Sequence, residues 1–182
     1  ITGVSQTQAA PEKGYSFAQG LSSIVRQDPD VMLVGEIRDG ETAKIAVQAA
    51  LTGHLVLSTL HTNDAAGIIS RLVSLGVDVS SISPALNVVV SQRLIRKVCK
   101  DCSVLTVPSA EELKEVKNAL KNLPKKVSAS WRTKDLNKIK IAKVSEKGCK
   151  TCNLTGYKGR KGIFELFSVD PEIEKFILTN PS

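Results

Sequence analysis

Four consecutive apolar residues, Val31-Met32-Leu33-Val34, stand between Pro29 and Gly35, and no other stretch limits the fold of this chain as tightly. The run is too short for a helix and follows a proline, so it reads as a strand buried on both faces, as in a parallel sheet. Polar chemistry begins where it stops. Gly35 lets the backbone open at the strand end. Glu36 is the first charged side chain there, at the edge where open α/β sheets place their ligands. A carboxylate so placed can orient a water or help hold a magnesium ion. The plainer alternative is a solvated loop in which Glu36 pairs with Arg38.

The neighbouring segments repeat one alternation. A helix is expected from Ser16, with Phe17, Leu21, Ile24 and Val25 on one face and Asp28-Pro29 as its end. After the first strand, Asp39 can cap a helix over 40–52, whose Ile45, Ala46, Ala49 and Ala50 form a small-residue face, with Gly53 as its stop. A second strand follows over 54–59. Asn63 or Asp64 then caps a helix to Leu75, closed by Gly76, and a further helix is expected near Ser83-Pro84, leading into 93–98. Strand and helix alternating with short loops predict an α/β fold with a parallel sheet over residues 1–98.

Beyond Cys99 the texture changes. Ser109-Ala110-Glu111-Glu112 is a capping-box start for a short amphipathic helix. The stretch 124–138 around the lone Trp131 is basic and loop-like, 138–144 alternates at period two as a half-exposed strand does, 162–167 reads as a strand, and Asp170-Pro171 opens a last helix. Residues 99–182 are therefore expected to form a second, smaller subdomain. All four cysteines of the chain fall in two C-x-x-C pairs, Cys99/Cys102 and Cys149/Cys152. Each pair can present two thiolates from a tight turn to one ion, and together they complete a tetrahedral zinc shell. Disulfides, or two unrelated redox pairs, are the alternatives, and the segment 103–148 between the pairs is longer than a usual zinc ribbon. Lys97, Lys100, Lys147 and Lys150 would partly offset the charge of a thiolate centre.

Composition narrows the partners. The 182 residues carry 25 Lys and Arg against 18 Asp and Glu, a net charge of +7, which favours anionic partners without choosing among them. The excess sits after Cys99. One Trp, two Tyr and four Phe are poor material for stacking bases. No apolar run approaches the roughly 18 residues of a membrane span. The chain opens on Ile1 with neither methionine nor basic leader, which predicts a start further upstream.

His54 opens the second strand and His61 lies just past its end. If the two strands run parallel and side by side, His61 arrives beside Glu36, where it could stabilise a transferring phosphoryl group. The spacing favours a carbonyl-bonding role for His54 and leaves both roles open for His61. No G-x-x-x-x-G-K-[ST] segment occurs, so the 182 residues contain no phosphate-binding loop of that kind.

Three ordered segments carry a resemblance: 26–39, the stretch Thr52-Gly53-His54 through His61-Thr62-Asn63, and Gln92-Arg93-Leu94 ahead of the two C-x-x-C pairs. Over residues 4–171 they resemble the secretion ATPase superfamily that drives type II secretion and type IV pilus assembly. That resemblance implies a partial RecA-like core with a zinc-stapled C-terminal subdomain, from a hexamer at the cytoplasmic face of the inner membrane that works against a membrane platform protein. It implies that 30–39 is the Walker B segment, with Glu36 as catalytic carboxylate and Gly35, Arg38 and Asp39 beside the nucleotide. His54 and His61 would be the two histidines of the family's histidine box. ATP and magnesium are the implied cofactors, and nucleic acid is not an expected partner. The cysteine insert favours assembly-type over retraction-type members. The phosphate loop and most of the acidic box precede the matched region in that family, so these residues alone are expected to be inactive. A binding module, zinc-stapled and basic, docking an acidic partner or nucleic acid, is the competing reading.

Overall fold

The computed structural model describes residues 3–121, 123 and 138–179. The basic stretch around Trp131 therefore lies, apart from Lys138, outside the described residues. Those within Ile1–Gln92 and Phe164–Ser182 form one compact unit, and those within Arg93–Ile163 form a second.

In the first unit, α1 (Phe17–Val25) opens on a reciprocal cap: the Gln19 N–H donates to Ser16 Oγ at 3.2 Å and the Ser16 N–H donates to Gln19 Oε1 at 2.9 Å. Two orphan donors of the first turn are thereby satisfied. Leu21 is buried, but Phe17, expected beside it, is 46% exposed. Strands β1 (Val31–Val34) and β2 (Leu55–Ser58) are parallel, with Val31 opposite Leu55 and Val34 opposite Ser58. The crossover between them is α2 (Gly40–Leu51), as the alternation predicts. Asp39 caps it, its Oδ1 accepting from the Thr42 N–H at 2.8 Å and its Oδ2 from the Thr42 hydroxyl at 2.9 Å. The small-residue face is real, though it is built by Thr42, Ala43, Ala46, Val47 and Ala49. Gly53, at φ +100°, turns the chain out of the helix.

Several expectations are corrected. β1 is buried on one face only: Met32 and Val34 are enclosed, whereas Val31 is 56% and Leu33 76% exposed. Helices α1 and α2 bring their apolar residues to the Met32–Val34 side, and among the described residues no second helical layer covers the other. The third helix, α3 (Gly67–Ser74), begins after Asp64, which bonds the Gly67 N–H at 2.8 Å from within the preceding turn. Ser83-Pro84 closes a helix instead of opening one. α4 (Val79–Ala85) starts after Asp78, and the proline, which has no N–H to donate, falls in its final turn. Residues 93–98 then continue a strand, β3 (Val88–Val98), whose hydrogen-bonded neighbour is β6 (Tyr157–Ser168). β3 and β6 form a sheet of their own, separate from the β1–β2 pair.

The last helix, α6 (Pro171–Leu178), is capped by Asp170 Oδ1, which accepts from the N–H groups of Glu172 and Ile173. It packs on α4. Ile177 is fully enclosed, and the buried Ser83 hydroxyl donates to the Glu174 carbonyl at 3.0 Å. The terminal helix thus shares the core of the first unit, whereas the sequence reading grouped it with the cysteine segment. In the second unit, β4 (Val104–Thr106) and β5 (Ile141–Lys143) pair antiparallel. Helix α5 (Ala110–Lys121) starts on the predicted Ser109–Glu112 box and is tied to β5 by Lys143 Nζ, 3.2 Å from Glu112 Oε1. Among the described residues no helix is long and apolar enough to cross a membrane.

Candidate functional site

Parallel pairing places the carboxyl ends of β1 and β2 side by side, and the loops that leave them are stitched together at once. The Ile37 N–H donates to the Thr59 carbonyl at 2.9 Å, and the Thr59 hydroxyl donates to the Gly35 carbonyl at 2.7 Å. Glu36 and His61 are held at this edge, with His61 Nε2 3.4 Å from Glu36 Oε2. The other carboxylate oxygen is taken by Arg38, at 2.6 Å. Both readings of the opening stretch are therefore present: the pairing with Arg38 that a plain loop would give, and the approach of His61 that parallel strands require. The Arg38 guanidinium holds the Glu36 carboxyl below the usual carboxylate range, burial opposing it and His61 adding to it. Glu36 is accordingly ionised at neutral pH and a weak proton acceptor, better suited to orienting a water than to removing its proton. Arg38 and His61 are both exposed, so either side chain can move without disturbing the core.

The remaining expected residues divide clearly. Gly35 borders open space, for a β-carbon there would meet nothing within 4 Å. Asp39 has both oxygens engaged by Thr42 in capping α2. His54 is not brought to Glu36. It precedes the amino end of β2, where its Nδ1 lies 2.9 Å from the Ala49 carbonyl and 3.2 Å from the Thr52 hydroxyl, bracing the turn out of α2. Two residues escaped sequence reasoning. Thr59 joins the two loops, and a polar residue ending an apolar strand was its only signal. Glu165 on β6 accepts the Ala65 N–H at 2.9 Å; a carboxylate inside the apolar run Ile163-Phe164-Glu165-Leu166-Phe167 was its signal.

The four cysteines do converge. Their sulfurs all lie within 4.8 Å of one another, with Cys99–Cys149 at 3.8 Å, Cys102–Cys152 at 3.9 Å and Cys149–Cys152 at 3.7 Å. Four metal–sulfur bonds of about 2.3 Å in a tetrahedron set the sulfurs about 3.8 Å apart, whereas a disulfide needs about 2.0 Å. All four are free thiols. The donor set therefore fits one tetrahedral ion and does not fit disulfides. The second pair sits in a tight knuckle: the N–H groups of Cys149 and Gly156 both point at Cys152 Sγ, at 3.2 and 3.3 Å. Burial pushes the Cys152 thiol up, but these donors outweigh it and bring it down to about 6, while burial takes Cys102 up to about 12. Gly156, at φ +73°, is required here because a β-carbon would run into Val144, and its carbonyl accepts the Cys99 N–H at 2.9 Å, joining the two pairs.

A family description of type II/IV secretion system proteins matches residues 1–182. This chain belongs to that family. It is 46% identical over 182 residues to the type IV pilus assembly ATPase PilB of Thermus thermophilus, covering all of this chain and 19% of that protein. It is equally 46% identical over 177 residues to the type II secretion system protein E of Klebsiella pneumoniae, covering 97% of this chain and 32% of that one. Among solved structures it is similar to the pilus retraction motor PilT with bound ADP, at 27% identity and TM-score 0.54, covering 91% of this chain and 33% of PilT. The chain spans about a fifth to a third of the length of these secretion family relatives.

Proposed function

We propose that this secretion family chain carries the water-orienting edge and the metal-stapled subdomain of an ATPase that powers type IV pilus assembly or type II secretion. The observation that carries the reading is the meeting of Glu36 and His61 at the carboxyl ends of two parallel strands, beside an open Gly35. In this reading the core is the second half of a RecA-like domain. ATP bound with magnesium would supply the phosphoryl group and its charge neutralisation. Glu36 orients the attacking water once Arg38 releases it, and the freed Arg38 and His61 face the charge that develops on the transferred group. Asp39 acts through α2, holding the loop from Gly35 at its far end. His54 braces the turn into β2, and a catalytic part for it rests on the family resemblance alone. Cys99, Cys102, Cys149 and Cys152 hold one structural zinc; four thiolates leave it no open position for water. The working assembly is a homo-hexamer in the cytoplasm, peripheral to the inner membrane and acting on a platform protein there. Without a phosphate-binding loop, the 182 residues alone bind Mg-ATP weakly and do not turn it over measurably.

The test is Glu36→Gln in a full-length ATPase carrying this sequence, with binding and turnover measured separately. Nucleotide binding persists and hydrolysis falls at least about a hundredfold, the size of loss that misplacing a reacting group causes; unchanged turnover removes Glu36 from the reaction. One observation favours a second reading, a basic docking module: a hollow of about 310 Å³ beside Cys99 is lined by Lys97, Lys100, Asp101 and Lys158. One face of Tyr157, which borders this region in sequence, is already covered by the Arg96 guanidinium at 4.0 Å, which leaves a single face for stacking on a base and counts against a nucleic-acid partner.

A further inference from the structure

We propose that Glu165 is a positioning residue that holds the His61 loop against Glu36, an inference that rests on the hydrolytic reading above for its consequence but not for its geometry. The loop from Thr59 to Ala66 has two anchored ends. At its start, Thr59 is fixed to the β1 side through Ile37 and Gly35. At its end, Ala65 is 1% exposed and its N–H is received by Glu165 Oε2 at 2.9 Å. Between these ends the Thr62 hydroxyl donates to the Asp64 carbonyl at 2.8 Å and Asp64 accepts from the Gly67 N–H. The His61 ring has no core to pack on, for its side chain is 86% exposed. Its place beside Glu36 is consequently set by the path of the backbone, and both anchors hold that path.

The second anchor is chemically specific. An N–H beside a buried alanine needs an acceptor, and neither a turn carbonyl nor a neighbouring strand supplies one here. A carboxylate reaches it from β6, and hydrogen bonds to ionised acceptors are shorter and stronger than neutral ones. The side chain comes from the chain's return strand, far from residue 65 in sequence, and Glu165 is itself exposed, so the bond to the enclosed Ala65 amide is the contact that draws its carboxylate in toward the loop. Holding one loop amide is the work the structure shows it doing.

Two variants test this, Glu165→Ala, which removes the acceptor, and Glu165→Gln, which keeps an oxygen acceptor without the charge. In the 182-residue chain, hydrogen exchange of the Ala65 amide accelerates by about tenfold or more in Glu165→Ala, the loss of one charge-assisted bond, and by less in Glu165→Gln. In the parent sequence Glu36→Gln shifts the His61 ring resonances; in the Glu165→Ala background that shift disappears, and Glu165→Gln restores most of it. Persistence of the shift in Glu165→Ala, with the α2 and α3 amides still protected, overturns the proposal. In the full-length ATPase, Glu165→Ala lowers kcat with KM for Mg-ATP nearly unchanged, and Glu165→Gln recovers turnover. Uncoupled ring resonances together with unchanged kcat support the positioning role and overturn the hydrolytic reading of the Glu36–His61 pair instead.

Discussion

At Gly40 the first turn of α2 runs so close to the Leu75 carbonyl oxygen that a β-carbon would collide with it, whereas at Gly35 a β-carbon would meet nothing within 4 Å. The same residue type therefore answers two different needs. Gly40 is demanded by the packing of α2 against the turn after α3, while no packing demand explains Gly35, which instead leaves bare backbone at the strand end where a ligand can come close. Replacing Gly40 with alanine gains up to about 1 kcal/mol of helix propensity but forces two backbones apart, which costs about 1–3 kcal/mol. Urea titration should show Gly40→Ala as the less stable protein. Gly35→Ala should stay within about 0.5 kcal/mol of the parent, while the ATP turnover proposed for the full-length protein falls if nucleotide approaches that backbone. A destabilised Gly35→Ala would mean the space beside it is not open. Glu36 was legible at this scale because it is the first charge after an apolar run. The distance between Glu36 and His61 was not in either residue's surroundings; it followed only from assuming that β1 and β2 are parallel neighbours.

Elements were legible where a cap and an apolar stripe agree, as at Ser16, Asp39, Ser109 and Asp170, each of which starts the expected helix. They were misread where one signal stood alone. Ser83-Pro84 resembles a helix start because proline is welcome in a first turn, but Asp78 already opens α4 and the proline arrives at its close. Burial of β1 was overstated because a run of four apolar residues cannot distinguish a strand covered twice from one covered once. The pairing of α4 with α6 could not be read at all, since it joins helices separated by the whole cysteine segment. Ser83 makes that pairing testable: its hydroxyl is 1% exposed and bonds the Glu174 carbonyl. Ser83→Ala should cost about 1 kcal/mol, measured by chemical denaturation, with α6 amides losing hydrogen-exchange protection before those of α2. Equal loss in both would show that α6 does not open separately.

For the whole molecule, the division into two units would make an ion held by the four cysteines a local staple, since all four lie in the second unit. Closing residues 99–152 through one ion would couple folding of the second unit to metal, because the site cannot preform in the unfolded chain. Elemental analysis should find one zinc per chain, and Cys149→Ser, or a strong chelator, should unfold the unit within Arg93–Ile163 while α2 and α3 keep their exchange protection. Metal-free protein with an intact second unit would show that the thiols pack without an ion.

By itself, the sequence determined the two C-x-x-C turns, the chemistry available at the end of β1, the alternation that makes β1 and β2 parallel, and the family to which the chain belongs. These are properties of short segments, where spacing along the backbone already fixes which side chains leave a turn or a strand end together. Tertiary structure decided the rest. It brought the two thiol pairs to tetrahedral spacing across a long insert, left one face of β1 open, kept His54 at the opposite end of β2 from Glu36, and delivered Glu165 to the Ala65 amide. Each of these depends on register and packing between residues far apart in the chain, which the hydrophobic pattern of either partner alone does not encode.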